Sequence, residues 1–386
     1  MATTNMIDSS KNSKEFWEQA YAYAIDTVRS NLNIFIDEYP APSSNNNIYS
    51  KIANTDWTNS FWNGMLWLSY LQSRESIFRK AAEHTLADYQ KRLKERIFTN
   101  THDLGFLYIL SAKAEYLVTG NDKAKEIALV AADLLLERYH PKAGIIQAWG
   151  DLEDTNQQGR IIIDCLMNIP LLFWATEISK NIQYREVALS HLRRTRETII
   201  RSDFSTYHTY YFNVNTGEAL RGITAQGYSN DSCWARGQAW GIYGLALAYT
   251  YTQDTACLVD AKHLASYFLS HLPSDDVCYW DLIFIEGEEE RDSSASAIAS
   301  CGLLLLSALL PNNDPDKQRY HQKALDILAS LAMHYTTKDV PDSNGILLHA
   351  VYGKPNNIGI DECVIWGDYF YMEALGTVLG SAIRFW

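Results

Sequence analysis

Polar residues at regular spacing interrupt one strongly apolar segment of the chain, residues 160–174. Arg160, Asp164 and Asn168 follow one another at intervals of four residues, which would place them on one side of a helix. Because the rest of the segment is apolar, the pattern predicts a single helix over residues 160–174 without a solvent face. A buried carboxylate is costly unless a partner compensates it or chemistry requires it. We therefore favour a functional interpretation of Asp164 over a structural one.

A second acid, Asp103, opens another apolar segment within residues 101–106. Taken alone, an aspartate in this position is most simply explained as a helix N-cap. Paired with Asp164 across a cleft, it becomes one half of a carboxylate pair, which glycoside hydrolysis commonly uses. The separation of the two carboxyl groups, which decides the mechanism, is left open by the sequence.

Arg236 lies between Trp234 and Trp240 in a segment of aromatic and small residues. An arginine in such surroundings can hold a carboxylate through two hydrogen bonds, or it can pair with an internal aspartate. By contrast, Asp292 and Ser293 have the pattern of an ordinary N-cap.

Tryptophans and one histidine complete the candidate residues. Five tryptophans are candidate platforms for sugar rings, and about half of such residues are expected in the core: Trp57, Trp62, Trp149, Trp174 and Trp366. His208 lies in the segment 205–212, whose alternating pattern predicts a short hairpin.

A repeat pattern suggests how these residues are brought together. Six segments rich in aromatic and small residues recur along the chain, at residues 56–64, 102–106, 160–174, 233–241, 291–296 and 362–369. Five of them continue into an apolar helix and then an amphipathic helix, and an amphipathic helix at residues 16–36 supplies the partner of the last. Because the two ends complete each other, we predict a closed (α/α)6 barrel. It would form one domain over residues 14–386, after a flexible tail at residues 1–13.

Composition narrows the function. The chain has 386 residues, 47% of them hydrophobic, and a formal charge of −13, which argues against nucleic acids and anionic membranes as partners. No apolar run reaches the length of a membrane span, and the N-terminus lacks a signal-peptide pattern. The six cysteines form no CxxC pair, so neither a zinc site nor a disulfide framework is expected. A cytoplasmic location is the simplest interpretation.

Eight segments, in order, resemble the unsaturated glucuronyl hydrolases of glycoside hydrolase family 88. They are residues 54–58, 102–108, 144–150, 159–166, 207–212, 234–241, 291–295 and 365–369. The resemblance implies an (α/α)6 barrel. It also implies an enzyme that removes a 4,5-unsaturated uronic acid from the non-reducing end of lyase-generated oligosaccharides, by hydrating the vinyl ether double bond.

The resemblance also implies roles for individual residues. Asp164 would protonate C4 and then help to activate the water that adds at C5, while Asp103 would hold sugar hydroxyls and tune Asp164. Arg236 with His208 would supply a local positive charge. The unsaturated sugar would be surrounded by His208, Gln226, Trp234, Arg236 and Trp240, with Trp57, Trp149 and Tyr352 as further walls. The expected partner is a small oligosaccharide, with no cofactor or metal.

Two alternatives stay open: an unsaturated rhamnogalacturonyl hydrolase, and a non-catalytic carbohydrate-binding protein on the same fold. Some members of the family that accept sulfated disaccharides carry a Ser-x-x-Ser-x-Lys stretch before the last inner helix. The corresponding residues 352–359 lack these serines. Tolerance of sulfate, the preferred neighbouring sugar, the linkage and the oligomeric state are therefore left open.

Overall fold

The structure, a computed structural model, describes residues 13–380 and 383–386. The predicted tail at residues 1–13 lies outside the described part except for Ser13, whose hydroxyl caps the first helix by accepting from the backbone N–H of Phe16 at 3.1 Å. The α-helices, in chain order, are α1 (Lys14–Asn31), α2 (Asn59–Ser73), α3 (Ser76–His84), α4 (Leu86–Lys94), α5 (Leu104–Tyr108), α6 (Ala114–Thr119), α7 (Asp122–Leu136), α8 (Cys165–Asn168), α9 (Pro170–Ser179), α10 (Ile182–Ile199), α11 (Ala235–Thr252), α12 (Thr255–Ser270), α13 (Ser293–Leu309), α14 (Asp316–His334) and α15 (Ile365–Val378).

Apolar helices form an inner ring. A π-helical turn, Ile109–Lys113, joins α5 to α6, and α8 runs on into α9. Each inner unit packs against the next in the order α2, α5, α8, α11, α13, α15, and α15 returns to α2. The ring is therefore closed. Within it, helices such as α13 are buried on all sides from Ser293 to Ser307, as expected for a helix without a solvent face.

Amphipathic helices form an outer layer around this ring: α1, α3 with α4, α7, α10, α12 and α14. Each buries one stripe and exposes the other side; α7, for example, buries Ala124, Ile127, Ala128, Ala131 and Leu135. The alternation of six inner and six outer units in the described residues confirms the predicted (α/α)6 barrel. The first helix is shorter than predicted, since α1 ends at Asn31.

The prediction of one helix over residues 160–174 is wrong. Residues Arg160–Ile162 form a strand, a turn follows, and the helix begins only at Cys165. The β-branched residues at 161–163 favour the extended strand. Pro170 then starts α9 as a new helix, because proline suits the first helical position and interrupts a continuing one. Arg160 and Asp164 consequently do not share a helix face.

Short antiparallel strands lie in the connections that precede the inner helices. The largest sheet has the order β5-β6-β7, and its register pairs Arg160 with Tyr211 and Tyr211 with Arg221. Residues 205–212, predicted to form a short hairpin, contribute only one strand, β6, which pairs with β5 and β7 on either side. The strands are β1 (Tyr39–Pro40), β2 (Lys51–Ile52), β3 (Tyr139–His140), β4 (Ile145–Ile146), β5 (Arg160–Ile162), β6 (Thr209–Phe212), β7 (Ala219–Ile223), β8 (Ala350–Gly353) and β9 (Ile358–Glu362).

None of the helices within residues 13–380 and 383–386 has both the length and the apolar character needed to span a bilayer.

Candidate active site

A cleft of about 310 Å³ opens where the connections enter the inner helices. All ten site residues predicted from the sequence line it, and His102 and Ile162 join them. The lining consists of Trp57, His102, Asp103, Trp149, Ile162, Asp164, His208, Gln226, Trp234, Arg236, Trp240 and Tyr352.

Asp103 and Asp164 each directly precede an inner helix, α5 and α8 respectively. Neither carboxylate caps its helix, so the structural interpretation of Asp103 as an N-cap is wrong. The Asp103 carboxylate instead accepts a hydrogen bond from the Thr101 hydroxyl at 2.6 Å. Both side chains keep a small exposed fraction, 16% and 17%, which faces the cleft. The two carboxylates are therefore available for chemistry.

His102 links the two acids. Its Nε2 lies 3.4 Å from Oδ1 of Asp103 and 3.2 Å from Oδ1 of Asp164. Burial lowers the pKa of His102, but the two carboxylates outweigh burial and raise that pKa above its usual value. Burial raises the pKa of Asp103 to about 6; His102 opposes this effect and Asp164 adds to it. The His102 ring and the Asp103 carboxyl group can therefore exchange a proton near neutral pH.

Sequence reasoning missed His102 as a site residue. It stands directly before Asp103 in a segment that we had singled out, and that adjacency was the available signal. Because consecutive residues before a helix start usually point in different directions, adjacency alone does not predict that both side chains enter one cleft. The turn ahead of α5 aims both of them inward.

Asn168 fixes the distance between the two acids. Its Oδ1 accepts from the backbone N–H of Phe106 at 2.7 Å, and its Nδ2 donates to the carbonyl of Asp164 at 3.2 Å. Gly105 allows this approach, because a Cβ at that position would lie 2.3 Å from the Cα of Asn168. The helices that carry Asp103 and Asp164 are thus held against each other by backbone contact.

Arg236 is a buried cation at the edge of the cleft, with 1% of its surface exposed. Its guanidinium donates to the carbonyl of Val351 at 2.5 Å and to Oε1 of Gln226 at 2.6 Å, and it lies 3.4 Å from Asp292. Asp292 meanwhile caps α13, accepting from the N–H groups of Ser294 and Ala295 at 3.1 and 3.2 Å. Arg236 thus pairs with an internal aspartate, as the second interpretation predicts, and it also lines the cleft. That it holds a carboxylate of a ligand stays a prediction.

His208 does not share that positive charge. Burial lowers its pKa to about 4, Arg236 adds to the effect, and Asp164 only partly opposes it. The ring is consequently neutral near pH 7, and the predicted contribution of His208 to a positive spot is wrong. Its Nδ1 accepts from the backbone N–H of Ala225 at 3.3 Å and lies 2.6 Å from the Thr209 hydroxyl, so its Nε2 carries the proton.

Indole rings form the walls. Trp57 donates from Nε1 to the hydroxyl of Tyr352 at 3.0 Å, which holds two wall residues together. Trp149 is 37% exposed, and the guanidinium of Arg160 lies 4.4 Å from the centre of its ring. Three of the candidate platforms are buried in the core and do not line the cleft: Trp62, Trp174 and Trp366.

Ligand-type atoms of His102, Asp103 and Asp164 lie within 4.8 Å of one another, so these residues could hold a metal ion. In the structure these atoms are a ring nitrogen and two carboxylate oxygens, each oxygen within 3.4 Å of that nitrogen. The expectation of a site without metal or cofactor stays a prediction.

In the connection at residues 352–359, Lys354 contacts Glu289 at 2.6 Å and also Glu290, so its positive charge is compensated within the protein.

Comparison with known proteins agrees with this geometry. The model of Glycosyl Hydrolase Family 88 matches residues 31–375. An unsaturated chondroitin disaccharide hydrolase of Streptococcus pneumoniae is 44% identical over 94% of this chain and 91% of its own length. An unsaturated glucuronyl hydrolase of Bacillus sp. (strain GL1) is 42% identical over 96% of this chain and 98% of its own.

Solved structures agree as well. The crystal structure of an unsaturated glucuronyl hydrolase from Streptococcus agalactiae superposes with a TM-score of 0.94 at 41% identity, over 100% of this chain and 99% of that one. A mutant of the same enzyme, in complex with dGlcA-GalNAc6S, superposes with a TM-score of 0.87 at 39% identity, over 100% of this chain and 99% of that one. The chain therefore belongs to glycosyl hydrolase family 88 and is a hydrolase of glycosyl bonds.

Proposed function

We propose that this enzyme removes a 4,5-unsaturated uronic acid from the non-reducing end of small lyase-generated oligosaccharides of the glycosaminoglycan type. The observation that carries the proposal is the position of His102 Nε2, within 3.4 Å of the carboxylates of both Asp103 and Asp164. Further support comes from the names of the relatives, which include unsaturated chondroitin disaccharide hydrolases of three Streptococcus species.

Asp164 is the proton donor in this proposal. Its carboxyl group protonates C4 of the double bond, and the positive charge that develops at C5 is shared with the ring oxygen. The ionised Asp164 then accepts a proton from the water that adds at C5. The hemiketal that results opens, and the saccharide leaves. One acid thus acts first as general acid and then as general base.

Asp103 and His102 prepare that proton transfer. The ionised form of Asp103 accepts hydrogen bonds from sugar hydroxyls and places a negative charge next to the Asp164 carboxyl group. His102 lies between the two carboxylates and keeps them close together in spite of their repulsion. Asn168, through its contacts with Phe106 and Asp164, keeps the two helix starts in register.

Arg236 supplies the positive potential for the uronic acid carboxylate. It is the only guanidinium among the cleft-lining residues that the structure describes, in a protein whose full sequence carries a net charge of −13. Gln226 accepts from Arg236 and lines the cleft, so its amide nitrogen can donate to the same carboxylate. The indoles of Trp149 and Trp240 provide apolar faces against sugar rings.

The test is the loss of the ultraviolet absorbance of the substrate's conjugated double bond. Purified enzyme is incubated separately with unsaturated chondroitin, hyaluronan and rhamnogalacturonan disaccharides. Turnover of the first two supports the proposal, whereas turnover of the rhamnogalacturonan product alone would replace it with the rhamnogalacturonyl alternative. If none of them reacts but calorimetry still detects sugar binding, the chain is a carbohydrate-binding protein and the proposal fails.

A further inference from the structure

One face of the sheet β5-β6-β7 continues from the wall of the cleft. Ile162 of β5 lines the cleft. Alternate residues of a strand share a face, and directly paired residues of neighbouring strands share it too. The register pairs Arg160 with Tyr211 and Tyr211 with Arg221, so these three side chains lie on the face of Ile162. Arg160 lies two positions before Ile162 on β5, about 7 Å along the strand, and Tyr211 and Arg221 follow on the next two strands, each about 4.8 Å further across the sheet.

The contacts within this Arg160–Tyr211–Arg221 row hold its cations in place. The Nε of Arg160 donates to the Tyr211 hydroxyl at 2.9 Å, and the same guanidinium stacks on Trp149. The guanidinium of Arg221 lies 5.3 Å from the centre of the Tyr211 ring. Arg160 is therefore oriented by two aromatic residues, one of which is a wall of the cleft.

Within the described part of the chain, both guanidiniums of the row lack a carboxylate partner. Among the residues that the structure describes, neither Arg160 nor Arg221 forms an ion pair, whereas Arg196 on α10 contacts both Asp254 and Asp260. Arg221 is exposed and Arg160 is half-buried. Arg160 and Arg221 lie on the two strands that flank Tyr211, with their guanidiniums 5.4 and 5.3 Å from the centre of its ring. An anion bound at the row would compensate positive charge that the protein leaves uncompensated.

A groove of about 440 Å³ adjoins the row and includes Tyr211 and Arg221 in its lining. Its remaining walls are rich in amide side chains, which can both donate to and accept from sugar hydroxyls. Those amides belong to Asn156, Gln158, Asn213 and Asn215. The groove therefore offers the mixture of an aromatic ring, amides and a cation that suits an acidic saccharide.

We propose that the Arg160–Tyr211–Arg221 row is a binding site for an anionic substituent, a carboxylate or a sulfate, on the saccharide part that the enzyme releases. The guanidinium fork matches the two oxygens of such a group. The inference rests on the proposed function, because the row is placed relative to the bond that Asp164 would act on. It adds a preference for acidic over neutral leaving saccharides.

The experiment compares four unsaturated substrates: an unsulfated disaccharide, the same disaccharide sulfated on its second sugar, a tetrasaccharide with a second uronic acid, and a tetrasaccharide whose other sugars are neutral. Arg221→Gln removes one cation of the row, and Arg221→Lys keeps the positive charge but lacks the paired N–H donors of the guanidinium. Arg193→Gln removes an exposed charge from α10 at a position outside the row and outside the lining of the groove, and serves as the matched control.

For Arg221→Gln we expect the ratio of KM for an acidic substrate to KM for its neutral counterpart to rise about 2- to 5-fold, the equivalent of one exposed ion pair. Arg221→Lys should recover part of that ratio, and Arg193→Gln should leave it at the wild-type value. A change with the sulfated disaccharide alone assigns sulfate, and one with the acidic tetrasaccharide alone assigns carboxylate. An unchanged ratio for both overturns the inference.

Calorimetry in the Asp164→Asn background separates this inference from the proposed function. If the wild type fails to turn over the unsulfated disaccharide, the proposed function fails. The affinity for acidic and neutral tetrasaccharides, measured with and without Arg221→Gln, then still decides whether the row binds anions. If Arg221→Gln leaves the ratio of the affinities for the acidic and the neutral tetrasaccharide unchanged, the inference is overturned without any reference to turnover.

Discussion

The Nε2 atom of His102 lies 3.2 Å from Oδ1 of Asp164, and that carboxyl oxygen has no hydrogen bond of good geometry within the described residues. The oxygen is buried, yet the side chain as a whole reaches the cleft. A buried oxygen without a well-formed partner is costly to the fold and is a common feature of functional sites. The pair is therefore the natural place to test the proposed proton transfer.

Asp164→Asn is expected to reduce kcat by about 10²- to 10⁴-fold, the usual contribution of a general acid. Asparagine has nearly the same shape and can accept from His102, but it cannot deliver a proton to the sugar. The thermal midpoint should stay close to that of the wild type. Loss of the alkene absorbance measures kcat, and calorimetry with the unsaturated disaccharide checks that binding survives. A variant that keeps more than a tenth of wild-type kcat would assign the proton to another group.

Asp103→Asn should alter the pH dependence as well as the rate. The pKa of Asp103 is raised to about 6, chiefly by burial, so its carboxylate form increases as the pH rises through that value. If the ionised form binds sugar hydroxyls, kcat/KM of the wild type rises with pH through about 6. That inflection should be absent from Asp103→Asn. A profile that keeps the inflection would show that another group, such as His102, causes it.

The repeat pattern was sufficient to predict the helical ring, because each inner helix is apolar on all sides whereas each outer helix is apolar on one side only. The ten predicted site residues all reach the cleft, since the connections that enter a helical ring converge at one end. The spacing of Arg160, Asp164 and Asn168 was misleading: intervals of four fit a helix, but Pro170 and the β-branched run divide the segment. Packing also decides which of the candidate tryptophans line the cleft and which are buried in the core, and the sequence contains no direct signal for that.

Gly105 offers a test of the backbone contact between α5 and α8. A Cβ at this position would lie 2.3 Å from the Cα of Asn168, so Gly105→Ala must push the two helix starts apart. We expect a loss of about 1–3 kcal/mol in the free energy of unfolding, as for other overpacked sites, and a larger relative loss of kcat than of substrate affinity.

Gly353→Ala is the matched control for that change. A Cβ there meets only the side-chain nitrogen of Asn356 at 3.7 Å, which is an ordinary contact. Urea denaturation and the absorbance assay measure both variants. Equal behaviour of the two alanine variants would mean that the approach of α5 to α8 does not set the geometry of the acids.

Arg236→Ala and Arg236→Lys separate the two tasks of this residue. Removal of the guanidinium leaves Asp292 buried and without its cation, which typically costs about 3–5 kcal/mol of stability. Lysine retains a charge near Asp292 but cannot reach Gln226 and the carbonyl of Val351 together. We therefore expect Arg236→Lys to fold and to show a raised KM for the uronic acid substrate. An unchanged KM would mean that Arg236 serves the fold alone.

Asp368 on α15 should make the stability of the barrel depend on pH. Its buried carboxylate accepts from Tyr49 at 3.0 Å and from the N–H groups of Ile346 and Leu347 at 3.1 and 2.8 Å. Burial nevertheless outweighs these hydrogen bonds and raises the pKa of Asp368 to about 7. Between about pH 4 and pH 7 the folded state therefore holds a proton that the unfolded chain has released, and stability falls as the pH rises through this range.

Asp368→Asn removes that titration. Two pH units within the window correspond to about 2–3 kcal/mol, so the wild type should lose about that much more unfolding free energy between pH 5 and pH 8 than the variant. Urea denaturation at both pH values gives the four free energies. The comparison uses differences between pH values, so a constant loss of stability from the amide does not affect it. Equal pH dependence in the two proteins would mean that the hydrogen bonds from Tyr49 and the two N–H groups keep Asp368 ionised throughout.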